Sequence, residues 1–253
     1  MTIQSQPANR VPEVTVDFWL IKLMAVTMGE TAADYLAVNL GFGLTATSLI
    51  MAAVLIGALV LQFGQRRYVP WAYWLSVVLV SIVGTLVTDN LVDNFGVSLV
   101  TTTVVFSVAL CATFALWYRS EGTLSIHEIF TNKREGYYWL AILFTFALGT
   151  AAGDMVAEKF GLGYLATGIL FGMVIASLTA GYFFLSLDPI LGFWLAYILT
   201  RPLGASFGDL LSQPGEYGGL GLGTIITSAT FLSAIILIVV YMTVNRMGKP
   251  QAA

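Results

Sequence analysis

The sequence predicts an all-α, polytopic membrane protein: eight transmembrane helices in four parallel two-helix repeats, built as two duplicated halves. Three observations predict it. The 253 residues are 58% hydrophobic and only 10% charged, whereas a soluble domain carries about 25% charged residues. Apolar runs of roughly 20 residues recur along the chain, the length that a ~30 Å hydrocarbon core asks of a helix. Finally, an aromatic-Trp-Leu triplet returns four times, each time with a Gly ten and an Asp fifteen residues after the Trp.

The spans are expected at 18–37, 44–63, 71–90, 97–117, 137–156, 163–184, 190–211 and 222–244. They group into repeats at 18–64, 68–118, 137–185 and 190–244, with a central loop at 119–136. Residues 1–17, with Pro7, Arg10, Pro12, Glu13 and Asp17, lack the basic-apolar-small layout of a cleaved signal peptide and read as a partly disordered tail. Residues 245–253 form a second tail. Arg10, Arg66, Arg67, Arg119, Lys133, Arg134, Arg246 and Lys249 all fall in the tails or after even-numbered spans, and the opposite connections hold only Lys159. By the positive-inside rule both termini and the central loop face the cytoplasm. The single Cys111 excludes a disulfide framework and a multi-Cys metal site. A net charge of −3 and the lack of any basic tract give no support to nucleic-acid binding.

The repeated phrase carries the chemistry. Its copies are Phe18-Trp19-Leu20 with Gly29 and Asp34, Tyr73-Trp74-Leu75 with Gly84 and Asp89, Tyr138-Trp139-Leu140 with Gly149 and Asp154, and Phe193-Trp194-Leu195 with Gly204 and Asp209. Successive Trp residues are 55, 65 and 55 positions apart, so the extra ten lie in the central loop. A two-helix hairpin duplicated twice explains this. Every copy then enters the membrane from one side, and equivalent residues meet at one depth around a common axis. Each second helix follows a Gly-containing turn (Gly41-Phe42-Gly43, Gly96-Val97-Ser98, Gly161-Leu162-Gly163, Gly221-Leu222-Gly223) and carries a Thr six residues after its first Gly: Thr47, Thr102, Thr167 and Thr227. The fourth copy needs an insertion, Gln213 to Gly219, to match.

At 1.5 Å per residue each Asp lies about 22 Å from the Trp end, level with the Thr series and nearer the outer face. On a helical wheel with Trp at zero, Asp falls at about 60°, Gly at about 280°, Glu30 at about 20°, Lys22 at about 300° and Arg201 at about 340°. The charges of the odd helices thus share one arc, leaving the opposite face for lipid. Four carboxylates at one level cannot all stay ionised without compensation by a cation, protons, or Lys22 and Arg201. Glu30 lies one turn before Asp34 on the same face. Asp93, Glu158 and Glu216 add to the acidic outer end, which would gather cations. An oxygen-only set of carboxylates and hydroxyls suits hard cations such as Mg²⁺, Mn²⁺, Ca²⁺, Na⁺ or H⁺.

Plainer readings stand beside these. The mid-helix Gly residues are close-packing positions, as are Gly57, Gly64, Gly161, Gly168 and Gly172. The Trp residues are interfacial belt anchors. The Thr hydroxyls back-bond to helix carbonyls, and Asp caps the outer helix ends. Lys22 snorkels to the cytoplasmic interface. Arg201, less able to escape, pairs with Glu30 or an Asp, or contacts an anion. The run Gly219-Leu220-Gly221-Leu222-Gly223 follows a helix rather than a strand, so it is no nucleotide loop.

With the phrases Gly29-Glu30-Thr31, Thr200-Arg201-Pro202-Leu203-Gly204-Ala205 and Phe207-Gly208-Asp209, four tandem two-helix repeats with a Trp in each first helix resemble a family of bacterial integral membrane proteins described by that repeat. The resemblance covers residues 15–245. It implies a multi-pass protein of the bacterial inner membrane and supplies no activity.

The residues themselves lead to a non-enzymatic reading: a proton-coupled secondary transporter of a hard cation, most of all a divalent metal such as Mn or Mg. Asp34, Asp89, Asp154, Asp209 and Glu30 would bind it, with Thr47, Thr102, Thr167, Thr227, Arg201 and Lys22 in support. No covalent cofactor is expected, only a bound divalent cation, and the partners are the lipid bilayer and the cation or a small solute. The alternative is a proton-coupled carrier of an organic or anionic solute held by Arg201. A third is a membrane-embedded enzyme or a structural subunit, in a homo-oligomer or with other chains.

Overall fold

The structure, a computed structural model, describes residues 8–247, and the side chains of residues 8–244. Pro7, Lys249, the Arg246 side chain and the outer parts of both tails lie outside the described residues. Eight α-helices follow in order: α1 (Val16–Asp34), α2 (Leu44–Phe63), α3 (Pro70–Asp89), α4 (Leu99–Glu121), α5 (Asn132–Asp154), α6 (Gly163–Phe184), α7 (Pro189–Ser212) and α8 (Thr224–Met247). Local chemistry starts them. The Thr15 hydroxyl caps α1 at the Phe18 N–H and the Asp188 carboxylate caps α7 at Leu191 N–H, 2.9 Å away. Pro70 and Pro189 occupy first helical positions, where the missing N–H costs nothing. Thr131 caps α5, which therefore begins five residues before the expected span and shortens the central loop.

In the first three repeats the odd helix ends at its Asp and widens at once into a π-helical turn: Tyr35–Asn39, Asn90–Asn94 and Met155–Lys159. Gly41, Gly43, Gly161, Gly163, Gly221 and Gly223 then reverse the chain at φ between 72° and 79°, a region that penalises any side chain. The fourth repeat replaces the π turn with its insertion. There Leu220, Leu222 and Gly223 donate backbone N–H groups to Leu210, Leu211 and Ser212, satisfying the last carbonyls of α7.

The odd helices form the inside of the molecule. α1 packs on α3, α3 on α5, α5 on α7 and α7 on α1, a closed ring of four. Outside it, α2 packs on α3, α4 on α5, α6 on α7 and α8 on α1. Each outer helix thus covers the inner helix of the following repeat, and α8 returns to the first. A repeat is a unit of sequence, but its two helices find their main partners in its neighbours. The outer faces of α2, α4, α6 and α8 carry exposed Leu, Ile, Val and Phe side chains, as lipid-facing helices do. The expected lipid face of the odd helices is largely covered by these outer helices, although Leu20, Leu75 and Leu140 remain exposed.

Seven of the helices are long and apolar enough to cross a membrane. The exception, α1, carries Asp17, Lys22, Glu30 and Asp34 in 19 residues, and its centre is buried by α3, α7 and α8. From Asn9 onward the segment before α1 is more ordered than its composition suggests. Asn9 binds the backbone of Tyr68, Ile126 and Ile129, Val11 is buried, and Arg10 lies 2.7 Å from the buried Glu135.

Two cyclic contacts close the ring. Counting from each Trp, the glycine at position +10 faces position +7 of the next inner helix. Gly29 meets Ser81, Gly84 meets Phe146, Gly149 meets Arg201, and Gly204 meets Val26. A Cβ at Gly84 would lie 2.7 Å from Phe146 Cβ, and one at Gly204 would lie 2.5 Å from Val26 Cγ1. The aromatic residue before each Trp meets the next Trp in the same order. Phe18 lies 5.6 Å from Trp74, Tyr73 5.5 Å from Trp139, Tyr138 6.2 Å from Trp194, and Phe193 5.8 Å from Trp19, between ring centroids. Trp74, Trp139 and Trp194 are buried and Trp19 is half-buried. The Trp residues are therefore not a lipid-facing belt. They form an inward seal, because each indole is covered by the neighbouring repeat.

The other glycines divide. Gly168 and Gly172 face α7, Gly161 serves its turn, and Gly57 has nothing within 4 Å of a prospective Cβ. Gly64 approaches only carbonyls of its own helix. Gly84→Val is therefore expected to destabilise the protein by about 1–3 kcal/mol through overpacking. Gly57→Val should leave the melting temperature in detergent near wild type. Equal melting of the two variants would contradict the ring contact.

Candidate functional site

The interior of the ring is a ladder of layers, each built from one position of the four repeats and each holding at least one polar or charged residue. At +3 stand Lys22, Val77, Ile142 and Tyr197, and at +7 Val26, Ser81, Phe146 and Arg201. At +11 stand Glu30, Thr85, Thr150 and Ala205, and at +15 the four Asp residues. Position +19 holds Val38, Asp93, Glu158 and Gln213. Because the inner helices are parallel, equal positions fall at equal depth.

A cavity of about 180 Å³ opens among the upper layers. All four Asp residues line it, together with Val38, Asp93, Glu158 and Gln213 of the layer above. Glu30 reaches it from below, and apolar wall is supplied by Leu44, Val92 and Leu99, with Tyr164 beside Glu158. Seven carboxylates therefore share one cavity whose lining contains no basic residue. Asp34, Asp89 and Asp154 are half-buried, whereas Asp209 is only 8% exposed and has no hydrogen bond or ion pair from its side chain among the described residues. The π turns contribute here by keeping Val38, Asp93 and Glu158 on the cavity wall. Such turns recur at functional positions of helices.

The floor is a buried ion pair. Arg201 Nη1 lies 2.8 Å from Glu30 Oε2, with Arg201 fully buried. Its Nη2 donates to Thr150 Oγ1 at 2.7 Å and to Thr85 Oγ1, and Thr85 in turn donates to Glu30 at 3.1 Å. Three residues of the +11 layer thus converge on the one guanidinium of the +7 layer. The Arg201 stem fits there because Gly149 has no side chain to oppose it. Glu30 is the shared group, facing both the cavity and the guanidinium.

Below the pair lies Lys22. It is fully buried, so it does not snorkel. Its ammonium donates to the Tyr197 carbonyl at 2.5 Å and to the Thr200 hydroxyl, and stands 3.9 Å from the Tyr197 ring centroid. The reason is the neighbour: α7 offers both a carbonyl and an aromatic face where an isolated helix would offer only lipid. Further down, Tyr73 and Tyr138 hydroxyls meet at 2.5 Å within the aromatic seal. Lys22 and Arg201 therefore lie between the cavity and the Trp end.

The structure brings Asp34, Asp89, Asp154, Asp209 and Glu30 together at the cavity and joins Glu30 to Arg201. It does not bring the Thr series to them. Thr47, Thr102, Thr167 and Thr227 are buried on the outer helices, outside the cavity lining. Thr102 and Thr227 donate to the carbonyls of Ser98 and Gly223, the back-bonding reading. Equal depth does not place a residue of an outer helix on the axis. Glu216, in the insertion, is also outside the lining. Thr85 and Thr150 escaped the sequence reading, as did Gln213 and Tyr164 as lining. Comparing position +11 across the repeats, Glu-Thr-Thr-Ala, would have exposed the first two as an uninterrupted polar layer. Among the described residues no three Asp, Glu, His or Cys side chains are grouped closely enough to hold one metal ion.

Breaking the floor should be costly. Glu30→Gln and Arg201→Met are each expected to lose about 3–5 kcal/mol, since each leaves a buried charge without its partner. The double variant should lose less than the sum of the two. Strict additivity in a denaturation cycle would contradict the pairing.

The chain matches none of the curated proteins and none of the solved structures with which it was compared. The family described as "Repeat of Unknown Function (DUF347)" matches it four times, at residues 18–68, 72–123, 137–187 and 192–247. These boundaries coincide with the four copies of the Trp-Gly-Asp phrase and cover most of the sequence. The chain belongs to this family, as four tandem copies of its repeat.

Proposed function

We propose that the protein is a secondary carrier that takes a cation into the carboxylate cavity and couples its movement to protons. The observation that carries this is the lining: seven carboxylates, no basic group, and Glu30 held in common with Arg201 on the floor. Such a cavity concentrates cations. Its carboxylates cannot all remain ionised together, so a cation or protons must balance them in turn. The same groups therefore serve both cargo and coupling ion.

Below the cavity, the ion pair, Lys22 and the aromatic seal oppose a free passage for cations along the axis. A carrier with one closed gate fits this better than an open channel, and parallel repeats around a central site are a known way of building one. Arg66, Arg67, Arg119, Lys133 and Arg134 all lie at the Trp end. By the positive-inside rule that end faces the cytoplasm of a bacterial inner membrane and the cavity faces outward. Pro202, next to Arg201, removes one backbone hydrogen bond of α7 and gives the gate a place to bend. The anion-carrier reading is weaker, since Arg201 is buried beneath Glu30 and does not line the cavity.

Flux into proteoliposomes tests the proposal. Asp154→Asn with Asp209→Asn is expected to slow cation uptake by at least about tenfold, a loss of roughly 1.4 kcal/mol or more. Dissipating the proton gradient should slow the wild type. Unchanged uptake in the paired variant, for every cation transported, would overturn it.

A further inference from the structure

If the protein is the cation carrier proposed above, the arrangement of its carboxylates bears on the kind of cation. A bare divalent metal needs several oxygens converging on one point at about 2–2.6 Å. Here the carboxylates are stacked in three layers instead, and among the described residues no three converge on a metal position. Successive layers are four residues apart, about 6 Å where the helices are α-helical, and less from the Asp layer to Asp93 and Glu158, where the chain widens into the π turns. Val38, Leu44, Val92 and Leu99 share the lining with the carboxylates and give it an apolar part. Methylene groups of a cargo would gain by burial against these side chains, which a hydrated metal ion would not.

Two further observations point to a nitrogen cation. Asp209 faces the cavity, is more than nine-tenths buried, and has no hydrogen-bond or ion-pair partner for its carboxylate among the described residues. Its oxygens are open to the cavity, so a donor carried by the cargo can reach them. The floor also shows what donor this ring can hold. Arg201 is an alkyl chain ending in a nitrogen cation, its stem packed against Gly149 and its head ion-paired with Glu30 and hydrogen-bonded to Thr85 and Thr150.

We propose that the cargo is a small organic dication, an α,ω-alkyldiamine, with one ammonium on Asp209 and the Asp layer and the other on Asp93 and Glu158. A four-carbon diamine, extended or with a gauche turn, can place its two nitrogens on the Asp layer and on Asp93 and Glu158 of the π turns. Its methylenes then lie along the apolar wall. Discrimination comes from needing both ends: a monoamine satisfies one layer and leaves the other bare.

Calorimetric titration of the full-length protein in detergent is the test, using 1,4-diaminobutane, 1-aminobutane, MnCl₂ and MgCl₂. The diamine is expected to bind at least about tenfold more tightly than the monoamine, and Asp209→Asn to weaken it by about tenfold or more. Asp154→Asn, at a half-buried position, gives the same readout should Asp209→Asn fail to fold. Saturable binding of Mn²⁺ or Mg²⁺ that the diamine does not displace would overturn the diamine assignment and leave the cation carrier standing. Diamine binding unaffected in both variants would also overturn the assignment. Binding of none of the four compounds would overturn both.

Discussion

The contact on which the molecule depends is the glycine at position +10 against position +7 of the next inner helix. It lets four parallel helices approach closely enough to close a ring, which side chains of ordinary size would prevent. Gly29, Gly84, Gly149 and Gly204 make this contact in cyclic order, and the last of them returns to α1. Closure in turn places the aromatic residues over the neighbouring Trp, and every Asp on one axis. Around the closed ring, α2, α4, α6 and α8 each lie mainly on the inner helix of the following repeat. The interior is therefore a consequence of a single small residue, repeated.

Within that ring the departures from symmetry carry the chemistry. Position +7 is Val26, Ser81, Phe146 and Arg201, so only one of four glycines receives a charged stem. Position +11 supplies Glu30 alone among neutral residues, and the two odd members pair between the adjacent helices α1 and α7. The charges are consequently sorted by depth, with carboxylates above and Arg201 and Lys22 below. A cation drawn into the cavity meets repulsion if it continues inward, unless Glu30 and Arg201 part. The buried pair thus costs desolvation that an apolar plug would not, a cost that the proposed gate would account for.

Much of this was legible in the sequence. The Trp-Gly-Asp phrase, its register and the parallel arrangement follow from counting, because a membrane helix preserves spacing faithfully. The arc containing Gly, Glu30, Arg201 and Asp was also correct in direction, since all four face the interior. What counting could not supply was the identity of the neighbour across the interface. Lys22 reads as a snorkelling residue until the Tyr197 carbonyl and ring are seen beside it. Trp reads as a belt residue until the next repeat covers it. The Thr series matched in depth but belongs to the outer helices, a radial distinction that a helical wheel does not contain.

The most direct test is side-specific labelling in vesicles of known orientation, in a Cys111→Ser background. Val38→Cys, at the +19 layer, should react with an impermeant thiol reagent from the Asp side only, and the transported cation should slow the reaction. Ile142→Cys, fully buried at the +3 layer, should react from neither side. Labelling of Val38→Cys that no cation slows, or ready labelling of Ile142→Cys from the Trp side, would contradict a cation cavity closed toward that end.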